Sequence, residues 1–168
     1  MGLAASGYAW TMASPTLASI RADVSSAAYG YLRRCSWMAD LPGDAPLLEE
    51  FAAPALALME SGKRTRAALL AAAYLSAGAG DIAPAIHAGA AVELYQASAL
   101  VHDDVIDHAQ IRRGVPTGHV AFAQAHRKAG WLGDEADFGA AGAILLGDLL
   151  LSLSTEACVR ACGLAPGG

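Results

Sequence analysis

The stretch Leu100-Val101-His102-Asp103-Asp104-Val105-Ile106-Asp107, with Arg112-Arg113-Gly114 just after it, organises the whole chain. Asp103 and Asp107 are four residues apart, so on a helix their carboxylates stand one above the other on a single face. Asp104 lies beside them, about a quarter-turn round. Upstream, Ile86 to Ala99 is almost entirely apolar or small. A helix that ends on three acids carries like charges at repelling distance. It also sets them against the negative end of the helix dipole. One reading of the trio is a solvated helix end. The other is a cation site, and magnesium suits it, being a hard ion that takes one or two carboxylates and shares its other positions with water and phosphate.

The rest of the composition narrows the class. The 168 residues are 55% hydrophobic and 16% charged, apolar enough for one domain with a real core. The net charge of −5 comes without a basic tail or stripe, which argues against nucleic acid as a partner. The N-terminus has no basic residue ahead of its apolar letters, so no secretory signal is expected. The nearest approach to a membrane span, Ile82 to Val92, is too short, and no membrane span is expected. Cys35, Cys158 and Cys162 form neither a disulfide framework nor a zinc spacing; they are expected as small core residues in a reducing compartment. A cytoplasmic protein is the resulting expectation.

Outward from the acidic stretch, helical periodicity dominates. Residues 1–13 read as a flexible leader. A first helix runs from Ser14-Pro15 through Leu17, Ile20, Val24, Ala28 and Leu32, and Pro42-Gly43-Asp44 marks a turn. Leu47 to Glu60 is helical with a kink expected at Pro54. Lys63-Arg64-Thr65-Arg66 opens the next helix, Ala67 to Ala77. Cations normally gather at helix C-termini, so a basic cluster here points to an anion held by side chains and helix end together. Asp81 caps the central helix, with Pro84 in its first turn, and that helix runs to about His108. Ile111 to Gly118 is a loop, Val120 to Lys128 a short helix, and Asp134 caps a last helix from Ala136 to Ala161. Strand-like alternation is missing, so the fold class is all-α with about six helices. The last helix is apolar nearly all round at Leu149, Leu150, Leu151 and Leu153, as in part of a larger bundle.

Arg112 and Arg113, on a loop returning past the acidic helix end, suit bidentate contacts to phosphate oxygens. Lys63 and Arg66 suit a second anion. Two cationic sites and one metal site match two phosphorylated substrates and one activated leaving group.

In this order and spacing, Gly62-Lys63-Arg64-Thr65-Arg66, Glu93-Leu94-Tyr95-Gln96, Val101 to Asp107, Arg112-Arg113-Gly114-Val115-Pro116-Thr117 and Gly147-Asp148-Leu149-Leu150 resemble the trans-type polyprenyl (isoprenyl) diphosphate synthases, over about Leu47 to Glu156. The resemblance implies a partial isoprenoid-synthase bundle, with residues 14–168 as its N-terminal part. It implies a prenyltransferase that joins isopentenyl diphosphate to an allylic diphosphate and forms a linear prenyl diphosphate. Asp103 and Asp107 would hold Mg2+, with Asp104 supporting. Lys63, Arg66 and Arg113 would bind isopentenyl diphosphate, and Arg112 the allylic diphosphate. A homodimer is implied as well.

Two departures from the family pattern stand out. Gln96 occupies the place where many members carry a histidine that contacts isopentenyl diphosphate; glutamine still donates a hydrogen bond but cannot become cationic. The second aspartate-rich motif of the family is absent, and Asp134-Glu135-Ala136-Asp137 reads as a helix cap instead. Catalysis by this polypeptide alone is therefore not expected. Upstream of Asp103, Ser98 and Ala99 are small and leave room for a hydrocarbon tail. Tyr95, roughly 12 Å deeper at 1.5 Å per residue, either stops the tail near geranylgeranyl length or packs between helices. Two other readings remain: a non-catalytic helical subunit that needs a partner chain, and a class I terpene cyclase, which shares the metal motif but leaves the paired cationic sites unexplained.

Overall fold

Thr16 starts the described structure by accepting the Ser19 N–H on Oγ1 at 3.1 Å, capping α1 (Leu17–Arg33). The computed structural model describes residues 15–33 and 45–165. The expected leader 1–13, the Pro42-Gly43-Asp44 turn and Cys35 lie outside the described residues. Ile20, Val24, Ala28 and Leu32 of α1 are buried at the expected helical spacing. α2 (Ala45–Glu60) begins two residues before Leu47, because Pro46 fits a first helical turn where its missing N–H costs nothing. α3 (Thr65–Ser76) and α4 (Ala83–Ile106) follow. Asp81 does accept the Ala83 N–H, at 2.9 Å, although Ile82 holds the capping position itself.

The segment after α4 differs from the expected loop. Ile111–Arg112 (β1) and Val115–Pro116 (β2) pair antiparallel, Ile111 against Pro116 and Arg112 against Val115. Arg113 and Gly114 form the two-residue turn with φ of 54° and 84°, both positive as a type I′ hairpin requires. So short a hairpin has no alternating run to reveal it. It leaves the all-α class unchanged.

α5 (Gly118–Ala129) and α6 (Glu135–Leu164) are the last of the described elements. Asp134 caps α6 by accepting the N–H groups of Ala136 at 2.7 Å and Asp137 at 3.0 Å, and these bonds hold its carboxyl below the usual range. Glu135 pairs with Arg127, which lowers its pKa too. The acids of this segment serve the helix start, as its reading as a cap expects.

The core lies between α4 and the antiparallel α6. Leu94, Ala97 and Val101 pack with Leu146, Leu150 and Leu153, all buried. Two buried hydroxyls lock the pair without leaving polar groups unpaired: Ser98 donates to Gly147 O and Ser154 to Ala91 O, both at 2.8 Å. Two glycines of this core lie tight against their neighbours. A Cβ on Gly89 would sit 2.9 Å from Val24 and 3.1 Å from Ala67, so its absence lets α1 and α3 meet α4. A Cβ on Gly147 would sit 2.4 Å from His102 Nε2.

Two expectations are corrected. Cys158 and Cys162 are exposed on α6, one turn apart, because the buried stripe of that helix runs through Leu153, Ala157 and Ala161 instead. The membrane-length apolar segment is α6 rather than the Ile82–Val92 region; it is the one helix among the described residues long and apolar enough to cross a membrane. One side of it is built into the α4 contact, while Ile144, Leu145, Leu151 and Val159 remain exposed.

Candidate functional site

The acidic end of α4 is shaped by how the helix stops. His108 adopts φ of 53°, the Ala109 N–H reaches Asp104 O at 3.0 Å, and the His108 N–H reaches Val105 O at 3.4 Å. These are the two bonds of a Schellman ending, with histidine where glycine is usual. The helix thus ends with Asp107 as its cap, and the Asp107 N–H still bonds Asp103 O at 2.8 Å. Asp103 and Asp107 therefore keep one face, and both are exposed.

Asp104 points the other way and is only 2% exposed. Arg112 Nε donates to its Oδ1 at 2.6 Å, and Arg112 Nη2 donates to Asp103 Oδ2 at 3.0 Å. The hydrogen bond to Asp104 raises the Arg112 pKa, burial opposes that, and the charges of Asp104, Asp103 and Asp107 add to the rise. Arg112 thus organises the acids as well as facing them. Among the described residues no three His, Cys, Asp or Glu side chains converge on a metal-sized point. The donor set still fits magnesium, which takes one or two carboxylates and fills its remaining positions with water and phosphate oxygens.

The hairpin turn sends the neighbouring arginine elsewhere. Arg113 Nη1 donates to Leu58 O at 3.1 Å, at the C-terminal end of α2. There it borders an open depression of about 510 Å³ lined also by Lys63, Arg64, Arg66, Gln96 and Glu93. Lys63 and Arg66 are both exposed around the start of α3, with Lys63 in the preceding loop rather than on the helix. The structure thus gathers Lys63, Arg66, Gln96 and Arg113 at one place, and Arg112 at another.

The residue that motif reading passes over is Arg64. It is 4% exposed and sits at the N-cap of α3 with φ of 52°. Its guanidinium donates to Met59 O at 2.7 Å, Ser25 Oγ at 3.0 Å, and Glu93 Oε2 and Tyr29 Oη at 3.3 Å each. A Cβ on Gly62 would lie 1.9 Å from Arg64 Nη1, so the glycine makes room for this cation. Only the glycine two residues before the arginine hinted at it in the sequence.

The candidate tail residues part company. Tyr95 is 59% exposed and Ala99 is exposed, in line with Asp103 on the open face of α4. Ser98 faces α6 instead, held by Gly147 O, because it lies about 100° from Ala99 around the helix. Tyr95 does not pack between helices among the described residues. On the α6 rim of this face, His102 Nε2 lies 3.5 Å from Asp148 Oδ1.

The described residues thus form an all-α array with exposed acids at the end of α4 and a cationic hollow beside them. The polyprenyl synthetase family model matches residues 48–164, and the chain belongs to that family. It is 40% identical over 101 residues to geranylgeranyl pyrophosphate synthase 11, chloroplastic, of Arabidopsis thaliana, a match covering 59% of this chain and 24% of that protein. It is 38% identical over 95 residues to a geranylgeranyl diphosphate synthase of Methanosarcina mazei, covering 56% and 24%. Its matched segment thus spans about a quarter of the length of these relatives. The fold is similar to the geranylgeranyl pyrophosphate synthase of Corynebacterium glutamicum, whose crystal structure holds isoprenyl diphosphate and magnesium. The TM-score is 0.75 at 29% identity, over 90% of this chain and 43% of that one.

Proposed function

We propose that this chain carries the diphosphate-binding wall of a prenyltransferase that joins isopentenyl diphosphate to an allylic diphosphate, giving a linear prenyl diphosphate of geranylgeranyl length or longer. One observation carries the reading: exposed Asp103 and Asp107 share a face of α4 with Gln96, whose side chain borders the hollow of Lys63, Arg66 and Arg113. Gln96 precedes Asp103 by two turns, roughly 10 Å along the helix. The two anion sites are therefore distinct and close enough for two substrates to meet between them.

Asp103 and Asp107 would hold magnesium, whose charge would neutralise a departing diphosphate and so lower the barrier to breaking the carbon–oxygen bond. Arg112 holds Asp103 in place through its 3.0 Å bond and offers its charge to the allylic diphosphate. Lys63, Arg66 and Arg113 hold the isopentenyl diphosphate, with Gln96 donating a neutral hydrogen bond. Tyr95 and Ala99 border the open face where a tail would lie, and we take Tyr95 as the residue that would limit its length.

The open face of α4 also supports a second part to the reading. Tyr95, Ala99, Asp103 and Ile106 are exposed together, and so are Ile144, Leu145 and Leu151 on α6. We therefore read residues 14–168 as one wall of a two-walled site, completed by a further polypeptide segment, with homodimer formation through the α6 face.

The test is calorimetric titration of the chain with inorganic pyrophosphate, with and without magnesium, alongside incubation with labelled isopentenyl diphosphate and an allylic primer. Pyrophosphate binding with a magnesium-dependent part, beside a magnesium-independent part at the hollow, and no elongation are expected. Binding indifferent to magnesium would remove the metal assignment, and elongation by the chain alone would remove the one-wall reading.

A further inference from the structure

The hollow of Lys63, Arg66 and Arg113 contains a carboxylate that works against it. Glu93 lies on α4, three residues before Gln96, and borders the same depression. Left free, it would attract the surrounding cations or repel an incoming diphosphate, since opposite and like charges a few ångströms apart interact by several kcal/mol where screening is weak. It is not free. Arg64 Nη1 holds Glu93 Oε2 at 3.3 Å, with the two side chains 4% and 12% exposed.

Arg64 is fixed from several directions at once. Met59 O, at the C-terminal end of α2, accepts from Nη2. That helix end leaves carbonyls without partners inside the helix and favours positive charge. Ser25 and Tyr29 of α1 accept from Nε and Nη2. The guanidinium is therefore placed by α1, α2 and α4 together, not by Glu93 alone. The backbone follows: Arg64 adopts a left-handed conformation, φ 52°, between Lys63 and Arg66, turning its own side chain inward while theirs remain exposed.

We propose that Arg64 is a positioning residue for the diphosphate hollow, whose buried charge neutralises Glu93 so that Lys63, Arg66 and Arg113 are left to bind the anion. This rests on the reading of that hollow as a diphosphate site. Arg64 also lines the hollow, but its guanidinium is committed to Met59, Ser25, Tyr29 and Glu93. Its effect passes through Glu93.

The proposal is tested by the binding of inorganic pyrophosphate to the full chain in EDTA, where the acidic end of α4 takes no part, together with thermal melts. Lys63→Ala reports on the site itself and should weaken binding. Arg64→Met should weaken binding roughly tenfold, the factor that about 1.4 kcal/mol represents. Adding Glu93→Gln to Arg64→Met should restore most of that affinity while the melting temperature stays low, because the bonds to Met59, Ser25 and Tyr29 are still missing. A merely structural arginine would instead give affinity and melting temperature that fall and recover together. Glu93→Gln alone keeps the fold testable should Arg64→Met fail to fold, and it should bind pyrophosphate at least as tightly as the unaltered chain. Weaker binding by Glu93→Gln, or unchanged binding by folded Arg64→Met, overturns the proposal while leaving the site reading intact where Lys63→Ala is defective. Absence of pyrophosphate binding by the unaltered chain overturns both.

Discussion

Arg112 spans from the β-hairpin to the end of α4, its Nε 2.6 Å from Oδ1 of Asp104, a carboxylate that is only 2% exposed. Removing the cation strands a buried charge. Breaking such a pair from one side costs about 3–5 kcal/mol where both partners are buried. Arg112 retains 28% exposure, so water relieves part of the loss and about 2–3 kcal/mol is the expected cost of Arg112→Met. Asp104→Asn should cost less, because the amide leaves the arginine facing solvent. Urea unfolding followed by circular dichroism checks the order; a midpoint for Arg112→Met equal to the unaltered chain would remove the buried-pair account.

Asp103→Ala separates metal binding from folding. Its side chain is half exposed, and Arg112 keeps Asp104 when Asp103 is gone. The variant is expected to retain its helicity and melting temperature while losing magnesium-dependent pyrophosphate binding. Unchanged magnesium dependence in the titration would count decisively against Asp103 as a ligand.

Much of this arrangement was legible in the sequence because it depends on short-range spacing. The alignment of Asp103 with Asp107 follows from helical period alone, and the Asp134 cap from its place before an apolar helical run. Ser98 shows that a small side chain need not be an open one: Ala99 lies on the open face of α4, while Ser98 faces Gly147. The exposure of Cys158 and Cys162 is hidden from composition, because the apolar residues of α6 run nearly all round and do not show which stripe α4 covers. Arg64 was hidden for a different reason. Its partners are 5 to 39 residues away in sequence, on three other helices, and local pattern carries no trace of them.

The start of α6 gives the chain an acid-sensitive element. Backbone bonds from Asp137 and Ala136 depress the Asp134 carboxyl, and Arg127 depresses Glu135. A carboxyl whose folded pKa lies below its unfolded one contributes stability that is present above the unfolded value and lost as pH falls through the folded one. Stability should therefore hold steady at neutral pH and decline below about pH 4, the unfolded carboxylate range. Asp134→Ala should melt lower at pH 7 and converge with the unaltered chain in acid. A gap between the two that widens on acidification would contradict the cap.

Two glycines on α6 face neighbours of different stiffness, and that difference decides the sign of an alanine substitution. Alanine is better than glycine in a helix interior by about 0.8–1.0 kcal/mol. At Gly147 the new Cβ meets the His102 ring at 2.4 Å. That ring is partly exposed and can swing away, giving up only its 3.5 Å approach to Asp148. Gly147→Ala should therefore change stability little. At Gly139 the Cβ meets the backbone carbonyl of His119 at 2.3 Å and the backbone nitrogen of Ala123 at 3.2 Å. No rotamer change relieves a clash with another helix's main chain, so α5 must move. Overpacking of this kind costs about 1–3 kcal/mol or more, exceeding the propensity gain. Gly139→Ala is expected to melt clearly below Gly147→Ala in parallel thermal scans, and the reverse order would mean that α5 yields more easily than its packing against Gly139 and Ala143 implies.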